Sequence, residues 1–194
     1  LQLGETIIGE NKTQELKEKY EGLTSIAHTT HFIGHLQTNK IKDVLKYADC
    51  IQSIDRLELV QKLDRRLQQE GRTMDIMLQV NTSNEESKFG LDPAASIDFA
   101  KEVSTFNTLK VKGLMTIGLF SSELEKVRKC YRLLKDIQSE MNALQLPNFE
   151  LNELSMGMSG DLEIAIEEGA TLIRVGTAIF GKRIHPDSYY WSEK

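Results

Sequence analysis

Cysteine is scarce in this chain, and its placement excludes the classes of protein that depend on it. Only 2 of the 194 residues are cysteine, Cys50 and Cys130, and they lie far apart without CxxC spacing. We therefore expect neither a disulfide framework nor a zinc site. A chain of this length can bury one core without such cross-links.

The chain also lacks an excess of positive charge and a long apolar run. Lys and Arg number 24 against 29 Asp and Glu, which gives a formal net charge of −5. This balance argues against binding to the nucleic-acid backbone, which needs a basic face. No apolar run approaches the roughly 20 residues of a membrane span. No secretory signal is visible. These absences predict a cytoplasmic protein that binds neither nucleic acid nor membrane.

Short apolar runs alternate with amphipathic helices along the whole chain. The predicted strands are 6–8, 30–33, 50–54, 75–80, 111–117, 151–156 and 172–175. Strict alternation implies parallel strands with right-handed crossovers. An open doubly wound sheet and a (β/α)8 barrel both fit this pattern. The glycine fingerprint of dinucleotide-binding sheets is absent, which favours an α/β TIM-like barrel. Seven strands are one short of eight, and the sequence begins at Leu1 rather than Met, so we expect the first strand to lie upstream of Leu1.

A turn rich in small residues follows the sixth predicted strand, in the segment 154–161 (LSMGMSGD). Ser159 lies where a helix over 159–168 is predicted to begin. Helix N-termini offer free N–H groups and partial positive charge, so they bind phosphate. The alternative is that Ser159 only caps this helix.

The last predicted strand carries a charged residue in an apolar setting. Arg174 lies within this strand, and Gly176 and Thr177 follow at its C-terminal end. A buried guanidinium needs a specific acceptor, which a structural ion pair can also supply. Loops after the last two strands of such barrels often form a phosphate site. Both segments together predict a phosphorylated ligand at the mouth, with Arg174 facing its other end.

Three further features have simpler structural explanations beside their functional ones. Asn11 directly follows the first strand and either bonds a ligand's polar edge or caps a helix. His31 fits a packed, hydrogen-bonded histidine better than a general base. Its neighbour His35 is not expected to pair with it on a metal. The aromatic tail 185–191 is too short to fold alone and is expected to dock on the barrel or on a partner.

These segments together resemble the pyridoxal phosphate (PLP) homeostasis family, the YggS- or PROSC-type PLP-binding proteins. The matching segments are 9–11 (GEN), 31–34 (HFIG), 87–90 (SKFG), 113–115 (GLM), 154–159 (LSMGMS) and 174–181 (RVGTAIFG). The resemblance implies the barrel of the alanine racemase N-terminal domain, which is fold type III of PLP proteins. It also implies that residues 1–194 form a single PLP-binding barrel domain without the racemase's second domain.

The resemblance assigns six residues to the cofactor: Asn11, Ser155, Ser159, Arg174, Gly176 and Thr177. The phosphate is expected near Ser159, Gly176 and Thr177, with Ser155 as a further phosphate ligand. Arg174 is expected at the pyridine nitrogen and Asn11 near the ring. No metal is expected.

One family feature is missing from the chain. The lysine that holds PLP covalently lies in the family's first strand, in a Val-Ser-Lys motif, and no such motif occurs here. Ser87-Lys88 follows a later strand, so we do not give Lys88 that role. We expect the covalent lysine to lie upstream of Leu1.

Three functions follow as hypotheses. The first is a PLP carrier in vitamin B6 and amino-acid homeostasis, without robust catalysis, which passes PLP to apo forms of PLP-dependent enzymes. The alternative is a PLP-dependent amino-acid racemase, which needs acid/base groups on opposite faces of the ligand. The third is a sugar-phosphate enzyme, which the phosphate site alone permits.

Overall fold

Seven strands and seven α-helices alternate through residues 4–181, which are the residues that this computed structural model describes. The strands are β1 (Ile7–Glu10), β2 (Thr29–Phe32), β3 (Cys50–Ile54), β4 (Met74–Gln79), β5 (Leu109–Met115), β6 (Phe149–Met158) and β7 (Leu172–Arg174). The helices are α1 (Thr13–Leu23), α2 (Ile41–Tyr47), α3 (Leu57–Glu70), α4 (Ser96–Val103), α5 (Leu124–Ala143), α6 (Leu162–Glu167) and α7 (Thr177–Phe180). The predicted tail 185–191 lies outside the described residues.

The seven strands form one parallel sheet in chain order, from β1 at one edge to β7 at the other. Every neighbouring pair is parallel, as strands joined by helical crossovers must be. The sheet curls into a nearly closed barrel with the helices outside, which confirms the prediction of an α/β TIM-like fold. All strands therefore end on the same rim.

Alternate residues of the strands face two different environments. One set, such as Ile76 and Leu78 of β4, packs against the helices in the large apolar core. The other set faces the barrel interior, where Met77 packs with Cys50 and Met115. The interior also holds the polar side chains of His31 and Gln52, which link to β6 and β7 by the contacts described below.

Gly157 gives β6 the close approach to α6 that the site requires. Its φ is +90°, and a Cβ there would lie 2.4 Å from Cβ of Ala165 on α6. Only glycine adopts that backbone conformation and tolerates that contact without strain. The end of β6 and the turn after it are thus held directly against α6.

Within residues 4–181, no helix is long and apolar enough to cross a membrane.

Candidate functional site

Arg174 ends β7 and reaches over the ends of the two preceding strands. Its Nη1 donates to Oγ of Ser155 in β6 at 2.8 Å, and its Nη2 donates to the carbonyl of Thr116, just after β5, at 2.7 Å. The guanidinium, for which the sequence predicted a specific acceptor, is half-buried and has two neutral acceptors, and no ion pair, among residues 4–181. Desolvation lowers the pKa of Arg174 to about 10, against the opposing effect of Tyr131 and Asp161. The group stays charged at neutral pH.

A chain of hydrogen bonds continues from Arg174 across the barrel interior. Oγ of Ser155 donates to Oε1 of Gln52 in β3 at 2.7 Å. Nε2 of Gln52 lies 2.7 Å from Nδ1 of His31 in β2. Ser155 and Gln52 are both 0% exposed, and His31 is 6% exposed. Strands β6 and β3 are not neighbours in the sheet, so this link spans the inside of the barrel.

Thr116 connects the Arg174 contact to two neighbouring loops. Its Oγ1 accepts from the backbone N–H of Gly118 at 3.2 Å and lies 2.9 Å from Oγ1 of Thr82. Nζ of Lys88 donates to the carbonyl of Gly118 at 2.8 Å and also pairs with Glu85. The carbonyl that receives Arg174 is thus fixed by the loops that follow β4 and β5.

Asp161 closes the turn after β6. Its Oδ1 accepts from the backbone N–H of Met158 at 2.6 Å, and its Oδ2 accepts from the hydroxyl of Tyr131 at 2.7 Å. Burial and the Asp161 carboxylate both raise the pKa of Tyr131. The hydroxyl is therefore protonated and donates at neutral pH. The turn that carries Ser159 is held to α5 through this pair.

Ser159 lies at a helix start, but not at the one predicted. The expected helix over 159–168 is wrong at its beginning, because α6 begins at Leu162 after Asp161. Oγ of Ser159 instead accepts from the backbone N–H of Ala178 at 3.3 Å, in the first turn of α7. The structure therefore brings Ser159 next to Gly176 and Thr177, although they lie on different connections.

The start of α7 is open to solvent. Gly176 and Thr177 are both exposed, and α7 begins at Thr177. The first N–H groups of a helix have no acceptor within the helix, and they carry partial positive charge. Among the described residues, the N–H groups of Ala178, Ile179 and Phe180 already have acceptors, so those of Gly176 and Thr177 remain, with the Ser159 hydroxyl, as the donors that a phosphate group could bind.

Asn11 lies at the opposite edge of the sheet from Arg174. It follows β1 directly, as predicted, and its carbonyl would lie 1.9 Å from a Cβ at Gly34. Gly34 therefore lets the β2 connection pack on the backbone of Asn11. No hydrogen bond among residues 4–181 joins the Asn11 side chain to Arg174, Ser155 or Ser159.

Sequence reasoning missed three residues that hold these groups: Gln52, Thr116 and Tyr131. The alternation of inward and outward residues along each strand was a signal for Gln52, an amide in a fully buried strand whose only other polar residue is Ser53. No sequence signal indicates Thr116, because it contributes a backbone carbonyl. Within the described part of the chain, no cluster of His, Cys, Asp or Glu is arranged to hold a metal ion.

Comparison with known proteins connects this geometry to a family. The model of the alanine racemase N-terminal domain matches residues 6–184. A pyridoxal phosphate homeostasis protein of Aquifex aeolicus is 39% identical over 180 residues, which cover 93% of this chain and 78% of that protein. A protein of the same name from Pasteurella multocida is 35% identical over 184 residues, covering 94% of this chain and 78% of that protein.

Solved structures with a similar fold include proteins of comparable sequence identity. A protein of unknown function from Bifidobacterium adolescentis superposes with a TM-score of 0.88 at 40% identity, covering 92% of this chain and 77% of that one. PipY of Synechococcus elongatus, solved with PLP bound, gives 0.83 at 35% identity, with 92% and 82% covered. An alanine racemase of Clostridium difficile shares the fold, with a TM-score of 0.77 at 14% identity, 94% of this chain and 46% of that one covered.

Proposed function

This chain belongs to the family of pyridoxal phosphate homeostasis proteins, whose barrel is that of the alanine racemase N-terminal domain, and from this we propose that it binds PLP at the rim formed by the strand ends. We propose that it holds the cofactor for vitamin B6 and amino-acid homeostasis in the cytoplasm. We also propose that residues 1–194 form one PLP-binding barrel domain.

The main support for this proposal is the set of guanidinium N–H groups of Arg174 that have no acceptor among residues 4–181. A guanidinium has five N–H donors and no acceptor. Arg174 uses one N–H of Nη1 and one of Nη2 on Ser155 and Thr116, so three have no acceptor among residues 4–181. They lie at the strand ends, where ligands of such barrels bind. A pyridine nitrogen is an acceptor of the kind that these donors lack.

The opposite end of the ligand fits the start of α7. Ser159, Gly176 and Thr177 supply a hydroxyl and exposed helix-start N–H groups for a phosphate. We assign Asn11 to the edge of the ring, as the family resemblance implies. The predicted role of Ser155 as a phosphate ligand stays a prediction. Its hydroxyl already holds Arg174 and Gln52, so we favour a role in positioning Arg174.

These residues favour holding the cofactor over turning over substrates. PLP, when bound, supplies an aldehyde and an electron-withdrawing pyridine ring. Arg174 only donates, so a ring nitrogen bound to it stays unprotonated and withdraws fewer electrons. Carbanion chemistry is thereby disfavoured. We propose that the partners of the loaded protein are the apo forms of PLP-dependent enzymes.

Calorimetric titration with pyridoxamine 5′-phosphate tests this proposal. This compound has the ring and phosphate of PLP but an amine in place of the aldehyde, so it does not react with surface lysines. We expect saturable 1:1 binding, and about tenfold or greater loss of affinity for pyridoxamine, which lacks the phosphate. Equal affinities, or no binding of either compound, would contradict the proposal.

Two activity measurements separate the carrier from its rivals. The PLP-loaded protein is expected to restore activity to an apo-enzyme and to release no racemised amino acid. Exchange of the α-hydrogen of alanine for deuterium, at enzyme rates, would instead establish a racemase. Binding of a sugar phosphate without binding of pyridoxamine 5′-phosphate would indicate a barrel enzyme of another class.

A further inference from the structure

We propose that Gln52 is a positioning residue: it fixes the direction of the Ser155 hydroxyl, and Ser155 in turn fixes the guanidinium of Arg174 at the barrel rim. This inference rests on the proposed function, because the consequence of a misplaced Arg174 is a ligand ring that is poorly recognised. No contact of Gln52 with the ligand is required.

The donors and acceptors that each side chain has determine the direction of the hydrogen bonds from Arg174 through Ser155 to Gln52. Arg174 has only donors, so Oγ of Ser155 must accept from it. Ser155 then has one proton to place, and Oε1 of Gln52 lies 2.7 Å away. A carbonyl oxygen only accepts, so this bond has one possible polarity. Both side chains are fully buried, where an unpaired polar group is costly.

His31 completes the arrangement by holding the other end of the amide. With Oε1 taken by Ser155, the Nε2 of Gln52 donates to Nδ1 of His31 at 2.7 Å. Nδ1 must therefore be unprotonated, so the ring carries its proton on Nε2. Burial lowers the pKa of His31 despite the nearby carboxylates of Asp49 and Asp75, which agrees with a neutral ring.

The reverse orientation of the amide is worse. It would aim Nε2 of Gln52 at Oγ of Ser155, which already receives Nη1 of Arg174. Two donors would then converge on one hydroxyl oxygen, and the Ser155 proton would lose its acceptor. The observed orientation gives the Ser155 proton an acceptor and leaves the Ser155 oxygen to receive Nη1 of Arg174, and only an acceptor at the Oε1 position achieves this.

Two substitutions at Gln52 distinguish positioning from simple packing. Gln52→Met keeps the length and removes both polar groups, so the hydroxyl of Ser155 becomes free to turn away from Arg174. Gln52→Glu keeps an acceptor for Ser155 and places a second acceptor against His31, which can respond by protonating Nδ1. The proposal predicts that the glutamate variant retains the Arg174 position and the methionine variant loses it.

The test compares pyridoxamine 5′-phosphate with its 1-deaza analogue, in which C–H replaces the ring nitrogen. The ratio of the two affinities reports the bond from Arg174 to that nitrogen. We expect a ratio of about ten or more in the wild type, since hydrogen bonds to charged groups have that strength. Gln52→Met should reduce the ratio to about two, and Gln52→Glu should keep it. The matched control Ser159→Ala, at the phosphate end, should weaken both compounds equally.

The outcomes separate the two claims. If the wild type shows the ratio and Gln52→Met keeps it, or if the wild type binds both compounds equally, the inference is overturned. If the wild type binds neither compound, the proposed function fails, and the inference is then decided by ¹⁵N NMR of the ligand-free protein. That spectrum must show His31 neutral with its proton on Nε2 at neutral pH. A proton on Nδ1 would overturn the inference, and this measurement needs no folded variant.

Discussion

The two ends of the proposed ligand site differ in how completely their polar groups are paired. At the ring end, Arg174 donates to two acceptors. One of them, the fully buried Ser155, donates in turn to the fully buried Gln52. At the phosphate end, Gly176 and Thr177 are exposed, and the single side-chain bond of Ser159 spans 3.3 Å.

This difference indicates that the polar groups of the two ends are ordered to different degrees before a ligand binds. A charged group whose neighbours are all hydrogen-bonded has its orientation fixed in advance, which reduces the entropy lost on binding. The exposed start of α7 has the N–H groups of Gly176 and Thr177 that a bound anion would satisfy. We infer that the ring end is preformed and that the phosphate end is completed by the ligand.

Arg174→Met should break the ring end and produce the largest change in binding. A hydrogen bond to a charged group contributes about 1.5–3 kcal/mol, so affinity for pyridoxamine 5′-phosphate should fall about 10- to 100-fold. Calorimetry measures this directly. Arg65→Met, on the exposed side of α3, is the matched control and should leave the affinity unchanged. An Arg174→Met variant that binds as tightly as the control would refute the assignment.

Asp161→Ala should loosen the connection between the two ends and lower the stability of the fold. It removes the acceptor of both the Tyr131 hydroxyl and the Met158 N–H. Leaving the buried Tyr131 hydroxyl and the half-buried Met158 N–H unpaired costs about 1–3 kcal/mol, which urea denaturation can measure.

A double-mutant cycle provides the control for that loss. In a Tyr131→Phe background one of the two orphaned donors is already gone. Asp161→Ala should then cost about 1 kcal/mol less than in the wild type. Equal costs in the two backgrounds would show that the Tyr131–Asp161 bond contributes nothing.

Ser159→Ala should separate the phosphate end from the ring end, because it lowers ligand affinity and hardly changes the stability of the fold. The hydroxyl is a surface acceptor for the N–H of Ala178, so its loss should change the unfolding free energy by about 0.5 kcal/mol or less. Affinity for pyridoxamine 5′-phosphate should fall several-fold, with no change for pyridoxamine. If both compounds lose affinity equally, Ser159 does not contact the phosphate.

His31, at the ring end, should make the free energy of unfolding depend on pH. This is the smallest of the predicted effects. Burial holds the pKa of His31 below its usual value near 6.5 in the folded state. The unfolded chain therefore binds the proton first as pH falls, and stability decreases below about pH 6.5. His31→Asn should flatten the urea-denaturation profile between pH 7 and pH 5. A profile as steep in His31→Asn as in the wild type would contradict this account.

The sequence predicted the fold and the position of Arg174 because both depend on local patterns. Alternating strands and helices imply parallel strands, and an arginine in an apolar strand implies a buried acceptor. The acceptors themselves were not predictable. The register shifts between Ser155 and Met158 and between Ile51 and Ile54, and such irregularities decide which side chains meet inside the barrel.

The pairing of Ser159 with α7 was missed for a related reason. The predicted helix start at 159 assumed that the turn after β6 leads straight into α6. Asp161 instead accepts the N–H of Met158, and the turn includes residues 159–161 before α6 begins at Leu162. That leaves Ser159 free to face the next connection, 19 residues later in the chain.

Hydrogen exchange with and without pyridoxamine 5′-phosphate tests the central claim most directly. If the chain binds this ligand between a preformed ring end and an open phosphate end, amides of 176–181 should gain strong protection. Amides around Ser155 and Thr116 should be protected in both states and change little. No protection on adding the ligand, or protection confined to the outer helices α2 and α3, would contradict the site proposed at the barrel rim.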